Sequence, residues 1–317
     1  MTELAIIGYG NAGRQHLAAA GAMAGVTVAR VVDTDPAATR GIGAPVGSVE
    51  SVLADERIEV VAVCLPPGPR GAVVSACQSA GKHVIVEKPP ARTGAELEFL
   101  LANGAAAGVL SAVMFQHRFA LPPVLRSGTP ERFAGAAATL MVSRHRPPAH
   151  YASPGWRSLP DEAAGGVVAH LGVHYLDLAC QLLGTPVEVR LAHREDAAPS
   201  IDVRLSCSVG FANGAELTAM ITSRSALRLE HLTVAGAGDW FELRDGAAHG
   251  EVDGVRIAEP RRAAGELRGQ VYREVLAAVR GEGPLDLAAL GRSRGVTALL
   301  DGVRAQPSLP AARIGDR

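Results

Sequence analysis

The 317-residue chain carries 31 Lys and Arg against 32 Asp and Glu, and this balance excludes a nucleic-acid or anionic-membrane surface as its main partner. Cysteines at 64, 77, 180 and 207 have neither metal-ligand spacing nor the density of a disulfide scaffold, and no apolar run approaches the roughly 20 residues that cross a bilayer. Met1-Thr2-Glu3 leads directly into an apolar strand without signal-peptide features, so the expectation is a soluble cytoplasmic protein with a small-molecule partner, no bound metal and, from its length, two domains.

Leu4 to Ile7 reads as a short buried strand that runs into Gly8-Tyr9-Gly10-Asn11-Ala12-Gly13 and then a helix over 14–24. A Gly-x-Gly-x-x-Gly run in that context suits a dinucleotide: Gly8 for the tight turn, Gly10 for close approach of a pyrophosphate, and Gly13 for packing of helix on strand. Asn11 and Ala12 then stand at the positive end of the helix. A second strand, 26–32, ends in Asp33, twenty residues beyond Gly13, where a carboxylate accepts hydrogen bonds from the adenosine ribose and repels a 2′-phosphate. NAD(H) is therefore preferred, with NADP(H) allowed if Arg40 offsets the repulsion. The competing reading of Asp33 is a turn residue before Asp35-Pro36.

A short helix follows at 48–54, and a strand at 60–65 delivers Leu65 and Pro66 to its carboxyl end. Cys64 reads as a small buried hydrophobe, since nothing basic adjoins it in sequence. A helix at 71–80 precedes the β-branched run Val84-Ile85-Val86, which carries Glu87 and Lys88 to the end of a parallel strand before Pro89 and Pro90 stop the ladder. Open α/β sheets bind ligands at that end, which makes Glu87 and Lys88, with Gln116 after the next strand, candidate cofactor contacts; the competing reading of Lys88 is a solvated strand terminus. A helix at 93–107, a strand at 109–115 and then Gln116 complete a doubly wound pattern.

Leu121-Pro122-Pro123 marks a break between a dinucleotide domain, 1–119, and a second domain, 120–317. Alternating segments at 136–144, 186–193, 200–210, 214–223, 230–235 and 239–244 predict a large open sheet, mostly antiparallel. Between them lies a helix bounded by Gly165-Gly166 and Gly184, on which His170, His174, Asp177 and Gln181 form one polar stripe. Satisfied core histidines, a metal site and acid–base chemistry all fit that spacing, although no third metal ligand stands nearby. The stretch Ser143-Arg144-His145-Arg146 with His150-Tyr151 is either a solvated loop or a cover that selects an anionic substrate.

In combination, "AGKHVIVEKP", the glycine run and "GGVVAHLGVHYLDLACQLLG" resemble the Gfo/Idh/MocA oxidoreductases, nicotinamide-dependent enzymes acting mostly on sugars and cyclitols. The resemblance implies an α/β fold with an N-terminal Rossmann domain and a C-terminal α+β domain. It also implies a cis Lys88–Pro89 bond, a proline-bearing loop at Leu65-Pro66 against the cofactor, and a homodimer or homotetramer. Lys88 and His174 match the lysine and histidine that meet at the substrate hydroxyl in that family. The family's aspartate position holds His170, and Arg70 stands near the place of a family histidine. The implied activity is hydride transfer between NAD(P) and a sugar-like hydroxyl or keto compound. An NAD-requiring glycosidase and a non-catalytic nucleotide sensor are the alternatives on the same fold.

Overall fold

In the computed structural model, which describes residues 1–126, 130–147, 149–152 and 155–306, the chain forms two compact units. The first begins with β1 (Thr2–Ile7), α1 (Asn11–Gly21), β2 (Val26–Val32), α2 (Val49–Ala54), β3 (Ile58–Val63), α3 (Pro67–Ser79), β4 (His83–Val86), α4 (Gly94–Ala106) and β5 (Ser111–Val113). All five strands are parallel, in the order β2-β1-β3-β4-β5. Leu4, Ile6, Val60, Val61 and Ile85 are each fully buried, as continuous Val/Ile/Leu runs must be when helices cover both faces of a parallel sheet. β5 is shorter than the expected 109–115. The amide of Phe115 bonds the Val113 carbonyl at 2.9 Å, and the chain tightens into a 3₁₀ turn over Gln116–Ala120.

The second unit contains β6 (Ala137–Ser143), α5 (Ala149–Ala152), α6 (Pro160–Ala163), a π turn over Val168–Gly172, and α7 (Val173–Leu183). The chain continues through β7 (Pro186–Ala198), β8 (Ile201–Phe211), β9 (Glu216–Thr222), β10 (Leu229–Ala235), β11 (Trp240–Arg244), β12 (Ala247–Val252) and β13 (Val255–Glu259). These strands form one sheet in the order β13-β12-β11-β10-β6-β9-β8-β7, antiparallel except where β6 pairs β9 in parallel. β12 and β13 were not anticipated. Ala247-Ala248-His249-Gly250 has almost no β-branched content, and its buried positions are small residues that give a weak alternating signal.

The helix bounded by glycines lies close on this sheet. A Cβ at Gly166 would sit 1.9 Å from the Asp202 carbonyl oxygen, and one at Gly172 would sit 2.4 Å from the Ile221 Cδ1. Asp202, buried on β8, accepts the amides of Gly166 and Val168 at 2.8 Å each, satisfying donors that the start of a helix leaves without partners. The regular helix expected here is instead widened at 168–172, and α-helical pairing resumes only at Val173.

After β13 the chain returns to the first unit. α8 (Ala264–Val279) places Leu267, Val271, Tyr272 and Leu276 in the core that holds Leu4, Ile6, Ile85 and Met114. The fully buried guanidinium of Arg118 donates to the Leu287 carbonyl at 2.8 Å and the Ser293 hydroxyl at 3.1 Å, and Val113 donates to the Ala288 carbonyl at 2.8 Å. Residues 262–294, assigned from sequence to the second domain, thus cluster with the first unit. Amphipathic periodicity shows that such a helix has an apolar face, and is silent on which sheet that face covers. α9 (Arg294–Ala305) closes the described chain. Gly166→Ala is expected to destabilise the protein by about 2 kcal/mol or more, because the new methyl meets backbone that cannot yield. Urea denaturation of the two proteins measures it.

Candidate active site

In the β2-β1-β3 order, the chain crosses from one side of β1 to the other, and the carboxyl ends of β1 and β3 flank the position where such sheets bind nucleotides. Gly8, at φ 93°, lies so close to the loop after β3 that a Cβ would be 2.8 Å from the Cys64 carbonyl oxygen. A Cβ at Gly13 would be 2.1 Å from the Gly8 oxygen, whereas nothing lies within 4 Å of one at Gly10. Gly10 is the N-cap of α1 and no side chain caps that end, so the helix start at Asn11, Ala12 and Gly13 is left to receive an anion.

Asp33 follows β2, and its carboxylate accepts the Tyr9 amide at 2.6 Å and the Asp35 amide at 2.9 Å. Each oxygen keeps a further lone pair after these bonds. Gln116 is buried, and its Oε1 has no hydrogen-bond partner among the described residues. Leu65 and Pro66 are half-buried in the loop after β3. The open cradle at Gly10, the uncapped helix end and the unanswered Gln116 oxygen together fit a dinucleotide.

Glu87 and Lys88 follow β4, and the Lys88–Pro89 bond is cis. Arg70, buried on α3, holds this turn to the loop after β3. Its guanidinium donates to the Leu65 carbonyl at 2.6 and 2.9 Å, to the Glu87 carbonyl at 2.7 Å and to the Pro89 carbonyl. Burial pushes its pKa down to about 10. The Glu87 carboxylate is buried, accepting from the Lys88 amide at 3.1 Å and from His16 Nε2 at 3.2 Å, with Arg268 Nη1 at 3.8 Å. The other His16 nitrogen, Nδ1, is 2.7 Å from the Tyr272 hydroxyl.

Burial alone would raise the Glu87 carboxyl, but His16, Lys88 and Arg268 outweigh it and hold its pKa at about 2. Burial is also the main influence on His16 and lowers it, so the ring is neutral, donating from Nε2 and accepting at Nδ1. Burial and the Glu87 charge push the Cys64 thiol well up, against any role as a nucleophile. Sequence reasoning missed His16, Arg268 and Tyr272. The His16–Tyr272 pair is separated by 256 positions and has no local signal.

In the second unit the polar stripe divides. His170 and His174 are half-buried, while Asp177 is fully buried and accepts from Gln181 at 3.4 Å. His170, in the π turn, has Nε2 3.0 Å from the Gly165 carbonyl and its ring edge-on to Trp156 at 5.1 Å. Arg157 lies 4.3 Å over the same Trp156 ring. The basic stretch is partly structural: Arg144 pairs with Glu230, which also accepts from Tyr175 at 3.0 Å, and Ser143 donates to the Leu227 carbonyl at 2.7 Å. Burial, then the charges of Arg157 and Arg146, lower the pKa of His150. Among the described residues no group of three His, Cys, Asp or Glu is arranged to hold a metal ion, and no helix is long and apolar enough to cross a membrane.

A parallel doubly wound sheet with a glycine cradle is the fold of a dinucleotide-binding unit, and here it is followed by a unit built on a large mixed sheet. The profile of the Gfo/Idh/MocA oxidoreductase family with an NAD-binding Rossmann fold matches residues 2–115, and that of the Gfo/Idh/MocA C-terminal domain matches residues 135–242. The chain belongs to this family. It is 32% identical over 162 residues to scyllo-inositol 2-dehydrogenase (NADP(+)) IolW of Bacillus subtilis, covering 48% of this chain and 43% of that protein. It is also 30% identical over 140 residues to D-glucoside 3-dehydrogenase of Escherichia coli, covering 43% and 39%. The chain thus aligns with less than half the length of these two relatives.

Among solved structures, the WlbA dehydrogenase of Bordetella pertussis in complex with NADH and UDP-GlcNAcA superposes with a TM-score of 0.82 at 20% identity, covering 96% of this chain and 94% of that one. Levoglucosan dehydrogenase in complex with NADH gives 0.80 at 17% identity, covering 96% of each. At such identities the likeness is one of fold.

The buried histidine and carboxylate make stability depend on pH. Both titrate below their usual values of 6.5 and 4.5, so the stability they contribute is present above pH 6.5 and lost as the pH falls, through His16 first and then through Glu87 toward pH 2. His16→Gln should lower the melting temperature at pH 7 and flatten its fall between pH 6.5 and 4.5. Thermal melts of both proteins across that range test this.

Proposed function

We propose that the chain is an NAD(P)-dependent dehydrogenase or reductase of a sugar, cyclitol or related hydroxyl or keto compound, acting through Lys88 and His174. The observation that carries this reading is a lysine at the carboxyl end of β4 in a family member that keeps the glycine cradle open at Gly10. A bound nicotinamide would supply the hydride acceptor for oxidation and the hydride donor for reduction. The turn from Gly8 to Gly13 would hold the pyrophosphate, Asp33 the adenosine ribose, and Leu65, Pro66, Glu87, Lys88 and Gln116 the remainder of the cofactor.

His174 accepts the hydroxyl proton during oxidation and donates it during reduction, a task suited to an imidazole near neutral pH. Lys88 hydrogen-bonds the reacting oxygen and stabilises the negative charge that develops there. His170 either hydrogen-bonds the substrate or positions His174. Its contacts with the Gly165 carbonyl and Trp156, which hold the ring in place, support the positioning role. NAD(H) is the preferred cofactor on the strength of the Asp33 carboxylate. The exposed Met220 and Trp240, on one face of the second unit's sheet, support a homodimer or homotetramer formed through that face.

A panel of sugars, aminosugars, inositols and sugar nucleotides, scored by the change in NAD(P)H absorbance, tests the activity. No turnover with any class would overturn it. Calorimetric titration should give tighter binding of NAD(H) than of NADP(H), with Asp33→Ser narrowing the difference. A clear wild-type preference for NADP(H) would remove Asp33 from the ribose role. On an identified substrate, His174→Ala should lose about 10²–10⁴-fold in kcat with cofactor binding retained. Near-wild-type kcat in that variant together with an inactive His170→Ala would exchange the two roles.

A further inference from the structure

The second unit gathers three basic side chains around one small apolar cluster. Arg146 follows β6, and its amide donates to the Ser223 carbonyl at 3.0 Å; the amide and hydroxyl of Ser223 donate in turn to the Val203 carbonyl at 2.8 and 3.1 Å. Val203 is buried with Tyr151, Ala163 and Ile201, and Trp156 packs against that group. His150 lies edge-on to Tyr151 with ring centres 4.9 Å apart, and α5, which carries both, lies against the 3₁₀ turn Trp156–Ser158. That turn sets Arg157 over the Trp156 ring at 4.3 Å. Arg146, His150 and Arg157 are all half-buried, and their charges act on one another. Burial, and after it Arg146, lowers the pKa of Arg157, while burial, then Arg157 and Arg146, lowers that of His150.

Neighbouring arginines of the same unit are answered by carboxylates: Arg144 by Glu230, Arg194 by Asp196 at 2.7 Å and Arg224 by Glu195 at 2.9 Å. Among the described residues neither Arg146 nor Arg157 forms an ion pair. Asp202, between Ile201 and Val203 on β8, is committed to the amides of Gly166 and Val168. Like charges brought together where burial removes part of their water are unfavourable until an anion joins them. Stacking on Trp156 fixes the plane of Arg157 and leaves its N–H edge for two parallel bonds to an oxyanion. We infer that the substrate carries an anionic group, a carboxylate or a phosphoryl, and that Arg157 and Arg146 hold it beside His150. Trp156 also meets the His170 ring at 5.1 Å, so an anion on Arg157 lies one side chain away from His170.

The inference rests on the reading of the chain as a dehydrogenase of sugar-like compounds, of which it names the substrate class, and its test reads binding apart from turnover. D-glucose and myo-inositol are compared with D-glucuronate, glucose phosphate, inositol phosphate and UDP-glucose by calorimetry on the NADH-saturated protein. The chain has two tryptophans, so in a Trp240→Phe background free of cofactor the fluorescence of Trp156 reports whether the ligand reaches this cluster. At least one anionic ligand should bind about tenfold or more tightly than its neutral parent, the scale of a hydrogen bond to a charged group, and should quench Trp156. Added KCl should weaken that preference. Arg157→Gln and Arg146→Gln should each reduce it to about threefold or less, with the affinity for the neutral parent kept within about twofold. Arg157→Lys, which keeps the charge and loses the planar fork, should retain part of it.

Arg146→Gln leaves the stack on Trp156 in place and carries the test alone if Arg157→Gln does not fold. The uronate and phosphate arms tell which oxyanion the cluster takes. Equal affinity for neutral and anionic ligands overturns the inference, and so does a lack of binding by every anionic ligand. A preference for the anion that survives in both glutamine variants overturns it as well, since the charge would then be held elsewhere. A preference that the variants abolish, with no turnover of any ligand, would count against the proposed activity and leave the anion site standing. Turnover of neutral sugars with no gain from charge would do the reverse.

Discussion

A carboxylate taken out of water persists only where its charge and its lone pairs are both answered. Glu87 meets that condition with groups from separate parts of the chain: the helix that follows the glycine turn, the returning helix α8, and the amide of the next residue. Residues 1–120 supply only part of the first unit's core, and α8 supplies the rest. Without α8 the apolar side of α1 and the ring of His16 would face water, and the buried charge would lose Arg268 and the hydroxyl that orients the histidine. The polar network and the hydrophobic core are therefore closed by the same helix.

Among the described residues of this unit, three of the four buried Lys and Arg side chains are arginines, and their geometry explains the preference. A planar guanidinium with five donors satisfies several carbonyls at once, where an ammonium on a flexible stem holds fewer in a fixed arrangement. Arg70 joins the carbonyls of Leu65, Glu87 and Pro89, and Arg118 joins those of Leu287 and Ala289 to the Ser293 hydroxyl. Each converts loop backbone that would otherwise lack partners into a defined surface. Arg70 stands where family resemblance expects a histidine, and it bridges the two loops that carry Leu65 and Lys88.

What was legible in the sequence was local. The glycine turn, Asp33 at the end of its strand and the run ending in Glu87-Lys88 announce themselves within a few residues, because turn chemistry and strand periodicity are short-range. Six of the eight strands in the second sheet were legible for the same reason. Contacts that depend on distant partners were not: the Tyr272–His16 pair, the return of 262–294 to the first unit, and the capping of the π turn by Asp202. Gly165-Gly166 marked the start of the helix, but neither the widening of its first turn nor the two amides that Asp202 holds there has a local signal. That residue lies 36 positions from Gly166.

The place of β6 in the second sheet has a consequence for how that sheet assembles. β7, β8 and β9 form one run of sequential antiparallel neighbours, and β10 to β13 form another; each is closed by short turns. β6 lies between the two runs, parallel to β9 and antiparallel to β10, although it precedes both by long stretches of chain. Local hairpins form quickly, while a pairing that first closes a long loop bears that entropy before any contact offsets it. The sheet is thus two fast meanders joined by one slow strand. Docking of β6 is the pairing in this sheet that has the longest loops to close, and without it the inner edges of β9 and β10 would be open to pairing with another chain.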